Sequence, residues 1–154
     1  HQATFTSSGL TQFGLVYDTA QIFNIQGTLK LQPTKELTIL GTLSQNIYTL
    51  ERETSAWGLP ELEGNFSAIY TLLDGQASLR ANAYVADRIA FRNDEGRILS
   101  GQGLFDIGVG GSYYFTDNIG VFLDINNMLN NKRERWLNYP MYGLNVLGGI
   151  TARF

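Results

Sequence analysis

The chain has 154 residues, of which 44% are hydrophobic and 16% charged, and its formal net charge is −3. That charged fraction lies below the roughly 25% of soluble domains, yet no run approaches the ~20 apolar residues of a membrane helix. The absence of cysteine excludes disulfides and thiolate metal sites, and the acidic balance argues against nucleic acid as a partner.

The dominant pattern along the chain is an alternation of apolar and polar residues, which is typical of strands. Residues 1–20 are predicted to form an N-terminal loop or a short strand, and residues 21–154 a succession of strands. Seven runs alternate: Gln21–Gln32, Leu37–Leu50, Leu62–Leu72, Gln76–Phe91, Leu104–Phe115, Ile119–Leu129 and Leu144–Phe154. These runs exceed the five or six residues of typical soluble strands. They reach the about 9–11 residues that a tilted strand needs to cross a membrane.

The links between these runs are short and long in turn. The short ones are Pro33–Glu36, Leu73–Gly75 and Thr116–Asn118, and the long polar ones are Glu51–Pro60, Arg92–Gly103 and Asn131–Gly143. Outer-membrane barrels have short periplasmic turns and longer extracellular loops in this order. The sequence therefore predicts an all-β, transmembrane, antiparallel up-and-down β-barrel with about seven or eight strands in this chain. The predicted location is the bacterial outer membrane, crossed many times.

Charged residues within the strands occupy the same alternate positions as the polar side chains, so they are predicted to face the barrel lumen. They are Lys30, Glu63, Arg80, Arg88, Asp106, Asp124 and Arg153. They fit a polar conduit that sets ion selectivity. They fit better a structural network, in which opposite charges on neighbouring strands neutralise each other and stabilise the wall.

A basic and aromatic cluster in the last long link is the best candidate for ligand binding. It consists of Lys132, Arg133, Arg135, Trp136 and Tyr139. Cations beside aromatic rings suit an anionic or sugar-like ligand, or the phosphates of lipopolysaccharide. The alternative, which we favour, is that the charges are solvated and that the aromatic residues mark the membrane interface.

Catalysis, a metal and a cofactor find little support in the sequence. The only histidine is His1, at the end of the chain, so a Ser-His-Asp arrangement is not expected. The glycines of Gly108-Val109-Gly110-Gly111 lie inside a predicted strand, where glycine marks a bend or close packing rather than a phosphate loop. We therefore predict that the chain is not an enzyme.

Two segments near the end of the chain resemble a known family. The run of alternate apolar residues that ends at Phe154 resembles the C-terminal signal of outer-membrane barrels, which the barrel-assembly machinery reads. The segment Phe122–Lys132, followed by Trp136, Tyr139-Pro140 and Gly143, resembles the last hairpin of TonB-dependent receptors. The loop Ser55–Pro60, with Trp57, resembles receptor-like barrels of the Bacteroidetes type.

The resemblance implies that the chain is the C-terminal part of a receptor barrel of about 22 strands that takes up a nutrient. Its implied partners are outer-membrane lipid, lipopolysaccharide, the rest of the barrel and TonB. Because the sequence begins at His1 without a signal peptide, it is either a processed chain or a fragment. A complete eight-stranded barrel with a structural, adhesive or envelope-organising role remains an alternative. A soluble lipid-binding barrel fits worst, because it would bury Arg80 and Asp124 in an apolar interior.

Overall fold

The computed structural model describes residues 2–8, 12–93, 96–132, 134–136, 139–140 and 142–152. These residues form strands and one turn of 3₁₀ helix, Leu73–Gly75. No helix among them is long and apolar enough to span a membrane. The predicted all-β class is confirmed.

The described strands are short at the chain's ends and in the long links, and long elsewhere. In chain order they are β1 (Gln2–Ser8), β2 (Gln12–Asp18), β3 (Ala20–Leu31), β4 (Leu37–Leu50), β5 (Leu62–Leu72), β6 (Ala77–Ala86), β7 (Ala90–Arg92), β8 (Ile98–Ser100), β9 (Leu104–Tyr114), β10 (Ile119–Asn126), β11 (Glu134–Trp136), β12 (Tyr139–Pro140) and β13 (Asn145–Ala152). β1 pairs with β2, β7 with β8 and β11 with β12. Each of these pairs is a separate hairpin.

The other seven strands form one antiparallel sheet in the order β13-β10-β9-β6-β5-β4-β3. Neighbours in the sheet are successive in the chain once the small hairpins in the long links are set aside. The predicted up-and-down topology is therefore confirmed. As far as the described residues go, the sheet is open, with β3 and β13 as its two edges.

The register keeps apolar residues opposite apolar residues from one edge of the sheet to the other. Phe23 pairs with Ile47, Tyr70 with Leu79, and Val121 with Ile150. Because a slip of one residue would turn every side chain of a strand to the other face, the alternation excludes such a slip. We call the two sides the apolar face, which carries these residues, and the polar face, which carries Arg80, Asp106 and Asp124.

Few of the described side chains are buried. The buried hydrophobic ones are Trp57, Ala86 and Ile89, whereas large residues of the apolar face stand open, among them Phe23 at 62% and Leu123 at 52% exposure. A soluble layered domain covers the apolar face of its sheet with a second layer. No second layer lies on the apolar face among the described residues, so this face needs an apolar environment of another kind.

The predicted end of the fourth strand, Phe91, is wrong, because β6 ends at Ala86. Directly after it, the Asp87 backbone N–H donates to the Leu62 carbonyl at 3.0 Å, and the Asp87 carboxylate accepts the Glu61 N–H at 3.1 Å. The chain then leaves the sheet and forms the β7–β8 hairpin. The contact between Asp87 and Glu61 joins residues 26 positions apart, and no local pattern in the sequence reveals it.

Two other segments differ in detail from their predicted bounds. Residues 1–20, expected to be a loop or a short strand, contain the β1–β2 hairpin, in which Gln2 pairs with Asp18. β10 ends at Asn126, before the predicted Leu129, because Asn127 adopts a positive φ of 50°. A left-handed residue of this kind ends a strand, and asparagine tolerates it better than most residues.

Candidate functional site

An ion pair on the polar face spans three strands. The Arg80 guanidinium on β6 lies 2.9 Å from the Asp124 carboxylate on β10. Between them, β9 contributes Gly110, which pairs with both residues in the register. A Cβ atom at Gly110 would collide with the Asp124 carboxylate, so the absence of a side chain there leaves room for the pair. The predicted close packing at this glycine is therefore a feature of the structure.

Further polar contacts cross between strands on the same face. The Tyr84 hydroxyl donates to the Glu63 carboxylate at 3.2 Å, and the hydroxyls of Ser78 and Ser112 lie 2.9 Å apart. Such cross-strand pairs contribute roughly 0.2–1 kcal/mol each. The polar face is thus tied together by its own side chains.

A groove of about 460 Å³ crosses this polar face. Two rows of side chains, successive in the register from β4 to β9, line it. One row is Thr42, Asn65, Tyr84 and Asp106; the other is Leu40, Ser67, Asn82 and Gly108, beside Asn126 of β10. Hydroxyl and amide groups dominate the lining, with one carboxylate and no Lys, Arg or His among the described lining residues.

Asp106 carries the single carboxylate of the groove. Its Oδ1 atom is buried and meets no hydrogen-bond donor among the described residues. A buried carboxylate oxygen without a partner costs free energy, because it has lost water and gained nothing in return. Among the described charges of the polar face, Asp106 is the one with a buried polar atom that lacks a partner.

A knot of three asparagines holds the end of β10 against its neighbours. The buried Asn127 amide donates to the carbonyls of Asn131 at 2.8 Å and Tyr142 at 2.9 Å, and its carbonyl oxygen accepts the Asn131 N–H at 2.8 Å. The Asn130 side chain accepts the Leu144 N–H at 3.1 Å, and the Asn131 amide donates to the Phe105 carbonyl. These bonds join β9, β10 and the approach to β13, so the residues that carry the family resemblance have a structural role here.

The long link between β4 and β5 packs on the structure instead of extending away from it. The Asp18 carboxylate accepts the backbone N–H groups of Arg52 at 3.0 Å and Glu53 at 2.8 Å. The Glu53 carboxylate accepts the indole N–H of the buried Trp57 at 3.0 Å and lies 3.5 Å from the Arg92 guanidinium. These contacts anchor the loop to β2 through Asp18 and to β7 through Arg92.

The pKa of the Asp18 carboxyl lies below its ordinary value, chiefly because the Glu53 N–H donates to its charged form; desolvation opposes this effect, and the Arg52 N–H adds to it. The sequence contained no local sign of this role, since Asp18 and Glu53 lie 35 positions apart.

The predicted ligand-binding cluster lies partly outside the described residues. Arg133 is among those outside, whereas Lys132 is exposed directly after the asparagine knot. Arg135 and Trp136 belong to β11, and Trp136 pairs with Tyr139 of β12. The backbone thus brings Trp136 and Tyr139 opposite each other, at the end of the sheet where the knot lies.

Five of the seven predicted lumen charges lie on the polar face of the described strands, and two do not. Glu63, Arg80, Asp106 and Asp124 are described above, and Lys30 is exposed on β3, opposite Leu40 of β4. Arg88 lies in the connection after β6, off the sheet. Arg153 and Phe154 lie outside the described residues. In the described part of the chain, no three side chains of His, Asp or Glu come together in a group that could hold a metal ion.

No protein-family model and no curated protein matches the sequence. Several solved structures resemble this chain in fold. The ferripyoverdine receptor of the outer membrane of Pseudomonas aeruginosa superposes with a TM-score of 0.72 at 10% identity, over 98% of this chain and 23% of that one. The copper transporter OprC superposes with a TM-score of 0.73 at 16% identity, over 99% of this chain and 28% of that one. The siderophore receptor PiuA from Acinetobacter baumannii superposes with a TM-score of 0.67 at 14% identity, over 97% of this chain and 24% of that one.

The fold is that of the β-barrel wall of outer-membrane receptors, and the predicted resemblance to TonB-dependent receptors is confirmed at the level of the fold. The chain spans about a quarter of the length of these structures. The Bacteroidetes-type character of the Trp57 loop stays a prediction.

Proposed function

We propose that the chain is the C-terminal part of a TonB-dependent receptor-like barrel that takes up a nutrient across the bacterial outer membrane. The observation that carries this proposal is the contrast between the two faces of one sheet. Leu79 and Leu123 stand 56% and 52% exposed on the apolar face, whereas Arg80 pairs with Asp124 on the polar face. Lipid on one side and water on the other suit this contrast.

The open edges support a wall that continues beyond these strands. Among the described residues, β3 and β13 have a neighbour on one side only, and an unpaired strand edge within a membrane is costly, because its backbone groups find no water there. Pairing of both edges with further strands of a larger barrel removes that cost.

The alternative, a complete eight-stranded barrel, needs a strand that bridges β3 and β13. In the described residues β1 pairs with β2 and with neither edge. No observation favours the small barrel, and the larger barrel is our proposal.

The same proposal assigns partners to the two faces and to the ends. Membrane lipid and lipopolysaccharide contact the apolar face, TonB couples to the complete receptor, and the barrel-assembly machinery reads the strand that ends at Phe154. Lys132, Arg133, Arg135, Trp136 and Tyr139 are proposed to contact an extracellular ligand. The described residues are assigned no catalytic step.

The test is the size and behaviour of the native protein. We expect an outer-membrane polypeptide several times the 17.1 kDa of this chain that migrates differently on gels before and after heating, as folded barrels do. Deletion of its gene should slow growth when one nutrient is scarce, and the gene supplied in trans should restore growth. A native polypeptide of 17.1 kDa, or a protein found only outside the outer membrane, would contradict the proposal.

A further inference from the structure

We propose that the groove beside Asp106 binds a cationic group of a small solute, an ammonium or guanidinium that donates hydrogen bonds to the Asp106 carboxylate. This inference rests on the proposed function, since it assigns a ligand chemistry to the inner wall of the proposed barrel. The argument begins with the charge. Asp106 is the only charged residue among the described residues that line the groove, and its carboxylate accepts no hydrogen bond from them.

The neighbouring row of the sheet provides an internal comparison. There the guanidinium of Arg80 reaches over Gly110 and lies 2.9 Å from Asp124. One step along the strands, Asn82 occupies the place of Arg80 and Gly108 the place of Gly110. This second row has the same glycine between its two side chains, but its residue on β10 is the neutral Asn126 in place of Asp124. The carboxylate of the groove, Asp106, lies two residues further along β9 in the next row, where its partner on β6 is Tyr84. The groove therefore has a carboxylate but no cation from the described residues, and we infer that a ligand supplies it.

The rest of the lining suits a cation with polar substituents. Asn65 and Asn82 are exposed in the groove, and their side chains make no hydrogen bond to another described residue. Their amide oxygens are free to accept additional N–H groups. An anionic ligand is disfavoured, because it would meet Asp106 without a compensating cation in the lining. The volume of about 460 Å³ falls in the range of small-molecule sites, roughly 300–1,000 Å³.

The ligand probe is agmatine, which carries a guanidinium and an ammonium group and no carboxylate. Agmatine is titrated calorimetrically into the full-length protein in detergent micelles, with maltose as a neutral probe and citrate as an anionic probe. We expect agmatine to bind more tightly than either. Asp106→Asn keeps the shape and removes the charge, and should weaken agmatine binding by about tenfold or more, since hydrogen bonds to charged groups are roughly twice as strong as neutral ones. Asp117→Asn makes the same charge change in an exposed turn and should leave the affinity unchanged.

A second variant tests the same idea from the opposite direction. Asn82→Arg supplies a guanidinium from the chain, in the manner of Arg80, and should abolish agmatine binding while Asp106 is still present. Gel migration before and after heating verifies that each variant is folded.

Equal affinity of wild type and Asp106→Asn for agmatine overturns the inference, as does preferred binding of maltose or citrate. Absence of agmatine binding to the wild type also overturns it, including the case in which another segment of the full-length polypeptide fills the groove. Such failures leave the proposed function intact if the native protein is a larger barrel that supports growth. A native chain of 17.1 kDa would instead remove the proposed function, whatever the titrations give.

Discussion

Arg80 and Asp124 meet at 2.9 Å although a complete strand, β9, runs between their own strands. The contact exists because the intervening position is Gly110, above which the two side chains extend toward each other. Both side chains retain solvent exposure, 45% for Arg80 and 23% for Asp124. Water therefore screens the attraction, and the pair by itself contributes little to stability.

The first prediction concerns the glycine. Gly110→Ala should lower the unfolding free energy by about 0.2–1 kcal/mol relative to a neutral glycine substitution, because the new methyl group collides with the Asp124 carboxylate, which rotates away and loses its contact with Arg80. Denaturant unfolding of the full-length protein in lipid vesicles measures this change. Gly27→Ala is the matched control, since a Cβ atom at Gly27 meets nothing within 4 Å. Equal losses for the two variants would show that the ion pair does not need the gap.

The second prediction tests which face meets lipid. Leu123→Arg should cost about 2–4 kcal/mol, because it exposes a charge to the hydrocarbon near the middle of the wall. Ser112→Arg lies on the polar face in the neighbouring strand, opposite Phe122, and should cost less. The same vesicle unfolding assay compares them. If Ser112→Arg proved the more harmful, the assignment of the faces would be reversed.

The third prediction concerns the asparagine knot. Asn127→Ala removes three hydrogen bonds of a buried amide and forces alanine to a φ of 50°. We expect a loss of about 2–4 kcal/mol and faster hydrogen exchange at the backbone N–H groups of Asn131 and Leu144.

Two control variants accompany Asn127→Ala. Asn127→Gly permits the backbone conformation but lacks the amide, so it separates the two effects. Asn118→Ala, in an exposed turn, should be nearly neutral. Unchanged exchange at Asn131 in Asn127→Gly would mean that the amide does not hold the loop.

The fourth prediction is a pH dependence of the loop between β4 and β5. The pKa of Asp18 in the folded protein lies below its ordinary value of 3.8. Its stabilising contribution is therefore fully present above the unfolded value and is lost as the pH falls through the folded value. We expect the loop to loosen in that acidic range, and the fluorescence of the buried Trp57, taken as the difference between the protein and its Trp57→Phe variant, to report it.

Asp18→Asn should loosen the loop already at neutral pH and remove this acid transition, whereas Asp117→Asn should retain it. An acid transition of the same size in Asp18→Asn would assign it to another group.

The alternation of side chains was sufficient to predict the seven-stranded wall. It predicts that Phe23, Ile47, Val121 and Ile150 share one face, because a period of two admits only two faces and one of them must be apolar. Which of these residues pair with each other depends on the turns between the strands and is seen only in the structure. The order of short and long links then predicts that strands successive in the chain are neighbours in the sheet. These features are local or depend on local pattern, so a single sequence contains them.

The contacts that form the site are of another kind. Asp18 accepts N–H groups 34 and 35 positions away, and Asp87 ends β6 through a contact with Glu61. The choice of Asp124 as the partner of Arg80, with Asp106 left unpaired, depends on which strands become neighbours and on where glycines fall between them. Parity alone puts all three residues on one face and does not distinguish among them.

Asn127 also has a consequence for how such a protein changes over time. Its amide contacts Asn131 and Tyr142, which lie at the two ends of the last long link. The amide therefore closes the base of that link independently of what lies between. We therefore expect insertions, deletions and substitutions in residues 132–141 to leave β10 and β13 in the same register, so that the outer part of the link can diversify while the wall beneath it stays constant.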